Sequence, residues 1–188
     1  MNGKKKNRRG KKMKVVKCSY GVSSQCDHRA EHIFMIDYDG VSLENVREHL
    51  KYIQKELGLS TIFIIKSKHG YNALSLDKLP ISLIYSYGTN ILSPADRDFF
   101  KYGYGRNYYV LRFDQDKEIV EILPSDSKKY KKSEAHRIFM EFFFGLNIDY
   151  DNSFDDNQNI IFVQYPSNKN GYHDQEKLNY VEDLKSWM

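Results

Sequence analysis

Apolar residues along this chain fall into two kinds of run. Short ones, such as HIFMIDY (32–38), IFII (62–65) and NIIFVQYP (159–166), have the length of strands, and the continuous run of HIFMIDY predicts one covered on both faces. Longer stretches instead repeat apolar residues every three or four positions. In SLENVREHLKYIQKELGL, Leu43, Val46, Leu50, Ile53 and Leu57 share one helical face. Ser42 is placed to cap the start of that helix, with Asn45 where a capping box would carry Glu or Gln, and Gly58 is placed to end it.

The same reading extends to the rest of the chain. STIFIIKSKHGYNALSL has strand-like runs on either side of KSKHGY, which predicts a hairpin or sharp bend with Gly70 at the turn. KLPISLIYSYGTNILSPADRDFFKYGYGRN predicts helical pieces, one starting at Pro80 and another after Ser93-Pro94 with Asp96. YYVLRFD (108–114) and KEIVEIL (117–123) predict two strands paired as a hairpin. SEAHRIFMEFFFGL (133–146) predicts an apolar helix closed by Gly145, DYDNSFDDNQN (149–159) a polar loop and DQEKLNYVEDLKSWM (174–188) a terminal helix. Strands that come in consecutive pairs imply an α+β domain, with flanking helices around a mixed, largely antiparallel sheet.

Composition narrows the class. A length of 188 residues fits one domain, and 40% hydrophobic with 29% charged residues is ordinary for a globular chain. No apolar run approaches the roughly 20 residues that cross a bilayer, so no membrane association is expected. The N-terminus is basic with no apolar signal core behind it, which argues against secretion. The two cysteines, Cys18 and Cys26, make no disulfide framework. With His28 and His32 they also fit no common zinc spacing. The expected location is the cytoplasm, or a host-cell interior for a gene carried by a virus or plasmid. The net charge of +4 conceals an asymmetry: MNGKKKNRRGKKMKVVK holds no acid. Residues 1–14 read as a flexible basic arm suited to polyanions, and 15–188 as a single domain.

The chemistry concentrates at strand ends. Asp37 and Asp39 are two apart on a strand and project to one side, with Tyr38 facing away. Two carboxylates so close repel unless one is protonated or a cation sits between them. Mg2+ suits such a pair, since it takes oxygen ligands and fills its remaining positions with water or phosphate. Gly40 permits a sharp turn after them. Ser67, Lys68 and His69 occupy the tip of the predicted hairpin, where they can donate to phosphate oxygens. Asp114 ends another apolar strand, with Arg112 on its face as a further phosphate contact.

In this order, IFMIDYD, SKH and VLRFD resemble the catalytic core of archaeo-eukaryotic primases, the primase–polymerase superfamily. That family's signature is an apolar strand ending in Asp-x-Asp, a helix, a strand pair carrying small-x-His, and a later apolar strand ending in Asp. The spacing of the first two motifs also resembles the polymerase domains of bacterial end-joining ligases. The similarity spans residues 32–116. It implies an RRM-like core, with Asp37, Asp39 and Asp114 as catalytic ligands of Mg2+ or Mn2+, and Ser67 and His69 holding the incoming triphosphate. It further implies two-metal nucleotidyl transfer in DNA replication or repair. The partners would be nucleoside triphosphates, a single-stranded or primed DNA template, and a helicase or other replication protein.

Two other readings start from the same residues. Asp37-Tyr38-Asp39-Gly40-Val41 also resembles the first motif of haloacid-dehalogenase-type phosphatases, with Ser67 ending a strand as in that family's second motif. Their fold alternates parallel strands and helices, which this order of elements does not. The third reading is a non-catalytic replication accessory protein that binds DNA through its arm.

Overall fold

The computed structural model describes residues 18–26, 31–113, 117–155 and 162–166. In chain order the elements are β1 (Cys18–Ser23), β2 (Glu31–Asp39), α1 (Leu43–Leu57), β3 (Ile62–Lys66), β4 (Gly70–Pro80), α2 (Ile81–Gly88) and α3 (Arg97–Arg106). After these come β5 (Val110–Phe113), β6 (Ile119–Leu123), β7 (Lys132–Ser133), α4 (Glu134–Phe144), β8 (Phe154–Asp155) and β9 (Phe162–Pro166). The architecture is α+β, with mostly antiparallel pairing; only β7 and β8 run parallel among the described strands. The basic arm, the terminal helix expected over 174–188 and His28 lie outside the described residues.

Long β4 organises the larger sheet. Its first half pairs with β3 on one edge, Ile64 opposite Ala73, and its whole length pairs with β2 on the other. β6 extends the β3 edge, while β7 takes up β4 near Asp77, beyond the end of β3. A second sheet of three strands has the order β5-β1-β9. The unbroken apolar runs of β2 and β3 supply the core: Ile33 to Ile36 and Ile62 to Ile65 are all buried. Helix α1 adds Val46, Leu50, Ile53 and Leu57 to it. The α1 caps are those its sequence predicts: Ser42 Oγ accepts from the Asn45 amide at 3.4 Å, and Gly58 is left-handed at φ 68°. Arg47 and Gln54 tie this helix to Glu121 and the Leu123 carbonyl of β6.

One expectation is corrected. The strands at 108–114 and 117–123 do not pair with each other. β5 pairs with β1, Tyr20 opposite Phe113, whereas β6 pairs with β3 in the other sheet. Neighbours in sequence are a sound guess for partners only when neither strand has a better edge to fill. Here β1, spelled CSYGVS, offers that edge. Its glycine and serines hide it from any search for apolar alternation.

Candidate metal centre

β2 ends in Asp37-Tyr38-Asp39, and its pleat separates these side chains by face. Tyr38 is fully buried, its hydroxyl 2.9 Å from Nδ1 of His49 on α1. Burial drives the His49 ring down to about 4, which keeps it neutral beside the phenol. Burial also pushes the Tyr38 phenol well above its ordinary value. This apolar, hydrogen-bonded anchor leaves Asp37 half-buried and Asp39 exposed at the strand end.

A third carboxylate meets them from a distant segment. Asp96 closes the loop between α2 and α3, and ligand oxygens of Asp37, Asp39 and Asp96 all lie within 4.8 Å of one another. The Asp96 amide donates to the Asp37 carbonyl at 2.8 Å. Its side chain also caps α3, Oδ1 accepting from the Asp98 amide at 2.9 Å. Sequence reading treats Asp96 only as a helix start, and it is one. Nothing local distinguishes a capping Asp from one that also closes on a strand 59 positions earlier, because the second role depends on the packing of α2 and α3 against β2.

The charges are held in tension. Burial first, then the neighbouring Asp39 and Asp96 charges, lift Asp37 to about 6, with the Lys117 ammonium opposing the rise. Asn72, directly opposite Asp37 in register, donates Nδ2 to Asp37 Oδ1, and its own Oδ1 accepts from Lys117 Nζ. Asn72 is buried, so its amide fixes the Asp37 carboxylate in one orientation. Neither Asn72 nor Lys117 is legible as a site residue from sequence, since Asn72 acts through cross-strand register and Lys117 from the segment before β6.

The hairpin tip is fixed beside this cluster. Asp39 pairs with Gly70, and the Gly40 amide donates to the His69 carbonyl at 2.9 Å. Gly40 is left-handed at φ 69°, the sharp turn its position predicts. At Gly70 a Cβ would sit 1.9 Å from the Tyr38 carbonyl oxygen, so only glycine permits this approach. Ser67 is engaged in the turn: its amide donates to the Gly70 carbonyl at 3.0 Å, and its Oγ accepts from the Gly70 amide at 3.1 Å. Lys68 and His69 are exposed at the tip. Arg112 lies exposed on β5 opposite Gly21, in the three-stranded sheet rather than the one carrying the carboxylates. Asp114 lies outside the described residues.

The donor set fits a hard divalent cation. Three carboxylates from two separated segments converge, one of them resisting ionisation chiefly because it is buried, and Mg2+ or Mn2+ binds through such oxygens. By contrast, a cavity of about 470 Å³ mixes Asp126, Asp149 and Asp151 with Lys128 and Lys132 and includes none of the three. No helix among the described residues is long and apolar enough to cross a membrane. No protein-family model matches the chain, and no curated protein or solved structure gives a significant match.

Proposed function

We propose that this chain is a metal-dependent nucleotidyltransferase of the primase–polymerase kind, extending or starting a DNA-templated primer. The supporting observation is the convergence of Asp37, Asp39 and Asp96 within 4.8 Å at a strand end that also meets the Ser67–Gly70 hairpin tip. Asp96 thus joins Asp37 and Asp39 in the ligand set, alongside the resemblance-derived Asp114. Mg2+ or Mn2+, when bound, supplies neutralising charge to phosphate oxygens during transfer.

The chain's own residues do the rest. Asn72 orients Asp37, and Lys117 limits how far its proton affinity rises. Backbone pairing at Asp39, Gly40 and Gly70 holds the tip rigidly, so Lys68 and His69 present donors to a triphosphate beside the carboxylates. The antiparallel pairing of β2 with β4 favours this reading over a haloacid-dehalogenase-type phosphatase, whose site is built on parallel strands. A primed or single-stranded DNA template, nucleoside triphosphates and a helicase or larger replication protein are the partners, inside the cell.

The test is incorporation of labelled nucleotides on primed single-stranded DNA with Mg2+ or Mn2+. Wild-type protein extends the primer, Asp37→Ala does not, and neither hydrolyses a generic phosphomonoester. Phosphomonoester hydrolysis without incorporation would establish the phosphatase instead. DNA binding with neither activity would leave the accessory protein.

A further inference from the structure

A second surface begins where the carboxylates end. Asp96 caps α3, and the next exposed positions on that helix are cationic or aromatic: Arg97, Lys101, Tyr102, Tyr104 and Arg106, with Asp98 the one acid. Arg97, Lys101 and Tyr104 are spaced i, i+4 and i+7, so they form one stripe. Opposite the stripe stands α2. Tyr85 of α2 packs against Tyr104 with ring centroids 4.5 Å apart and the rings tilted by 33°, and a groove of about 380 Å³ runs between Tyr85, Thr89, Ile91, Arg97, Asp98 and Lys101. Neither Arg97 nor Lys101 has an ion-pair partner among the described residues.

The groove has firm walls and a wet, apolar lip. Gly88 of α2 meets Phe100 of α3 so closely that a Cβ would lie 2.1 Å from that ring, which locks the two helices together. Phe100 in turn packs edge-on against Tyr109, 5.5 Å between centroids. Yet Tyr102 and Tyr104 are 57% and 46% exposed, and Ile91 and Leu92 at the lip are 83% and 87% exposed. Core packing accounts for Phe100 and Tyr109 and leaves these four unexplained.

We infer that the α2–α3 groove is a binding track for single-stranded nucleic acid, leading to the Asp37–Asp39–Asp96 cluster. Exposed rings that take a base face, beside exposed cations that take the flanking phosphates, are what such a strand requires. A duplex buries its base faces and cannot use the tyrosines. An acidic peptide would satisfy Arg97 and Lys101 but leave the exposed tyrosine rings unused. The inference rests on the proposed function only for the direction of the track; binding itself is independent of catalysis.

The experiment measures binding of full-length protein to a fluorescent oligothymidylate by anisotropy across a salt series. Arg97→Ala/Lys101→Ala is expected to bind about tenfold or more weakly, and to lower the slope of log K against log salt by about 1.4, from 0.7 per lost phosphate contact. Tyr104→Ala is expected to lose about fivefold or more, and Tyr104→Phe, which keeps the ring, is expected to restore binding. Photocrosslinking with 4-thiothymidine in the oligonucleotide should label peptides from 85–106. The binding series is run in EDTA, where no metal-dependent transfer occurs, which separates failure of the groove from failure of catalysis. Unchanged binding in the α3 variants, or crosslinks confined to the basic residues 1–17, would overturn the inference. A duplex bound as tightly as the single strand would do the same.

Discussion

Asp96 and Asp37 are joined twice, by a 2.8 Å hydrogen bond between amide and carbonyl and by carboxylates that share one cluster. The backbone bond sets the position of the loop before α3, and that position places the third carboxylate. A residue that caps a helix and would complete the proposed cation site carries two separable contributions.

Substitution separates them. Asparagine caps helices as well as aspartate does, so Asp96→Asn should keep stability within a few tenths of a kcal/mol of wild type. Its loss of charge should still lower nucleotide incorporation by on the order of a hundredfold. Asp96→Ala should lose the activity and also about 1 kcal/mol of stability, measured by urea unfolding. Equal activity in Asp96→Asn and wild type would remove Asp96 from the site.

Asp37 makes stability depend on pH. Its folded value is raised to about 6, mainly by burial, against an ordinary value of about 4. Between these values the folded state binds more protons than the unfolded one, so stability falls as pH rises through this window. Asp37→Asn removes that dependence and should stabilise the metal-free protein at pH 7 by about 1–2 kcal/mol, partial exposure reducing the full linkage value. Thermal unfolding with EDTA at pH 4.5 and pH 7 reads both effects; an Asp37→Asn protein less stable than wild type at pH 7 contradicts them.

Lys117 sets where that transition falls. Its ammonium lowers the Asp37 proton affinity and bonds to the Asn72 side chain. Lys117→Met should shift the pH midpoint of Mn2+ binding upward, because Asp37 then ionises at higher pH. A midpoint that stays put or moves down would show that the lysine has no electrostatic hold on the carboxylate.

Gly70 is required by contact rather than by turn geometry. The Cβ of Gly70→Ala would lie 1.9 Å from the Tyr38 carbonyl oxygen, a backbone atom that cannot swing aside. The cost should be about 1–3 kcal/mol, with the hairpin tip displaced from Asp39. Gly105→Ala, in helix α3 where a Cβ meets nothing within 4 Å, is the contrasting control and should keep stability or raise it by up to about 1 kcal/mol. Comparable urea midpoints for the two variants would refute the contact argument.

What the sequence discloses follows the range of the interactions concerned. Strands β2 and β3, helix α1 with its Ser42 and Gly58 caps, and the bend at Gly70 are set by local apolar spacing and turn chemistry, and they are legible. So is the shared face of Asp37 and Asp39, which needs only the two-residue repeat of a strand. The partner of β5 is not legible, because β1 has too little apolar alternation to announce itself and competes from about 90 residues away. Asn72, Asp96 and Lys117 escape for a related reason. Each has an unremarkable local role, and its place at the carboxylates comes from register or loop docking that no short window contains.

The central claim is that Asp37, Asp39 and Asp96 together hold a divalent cation. Its most direct test is electron paramagnetic resonance of Mn2+ titrated into the wild-type protein and into Asp37→Asn and Asp96→Asn. The account predicts saturable loss of the free-Mn2+ signal with wild type, much weaker uptake by both variants, and displacement by excess Mg2+. Uptake by Asp96→Asn equal to that of wild type, or no uptake by wild type at pH 7.5, would contradict it.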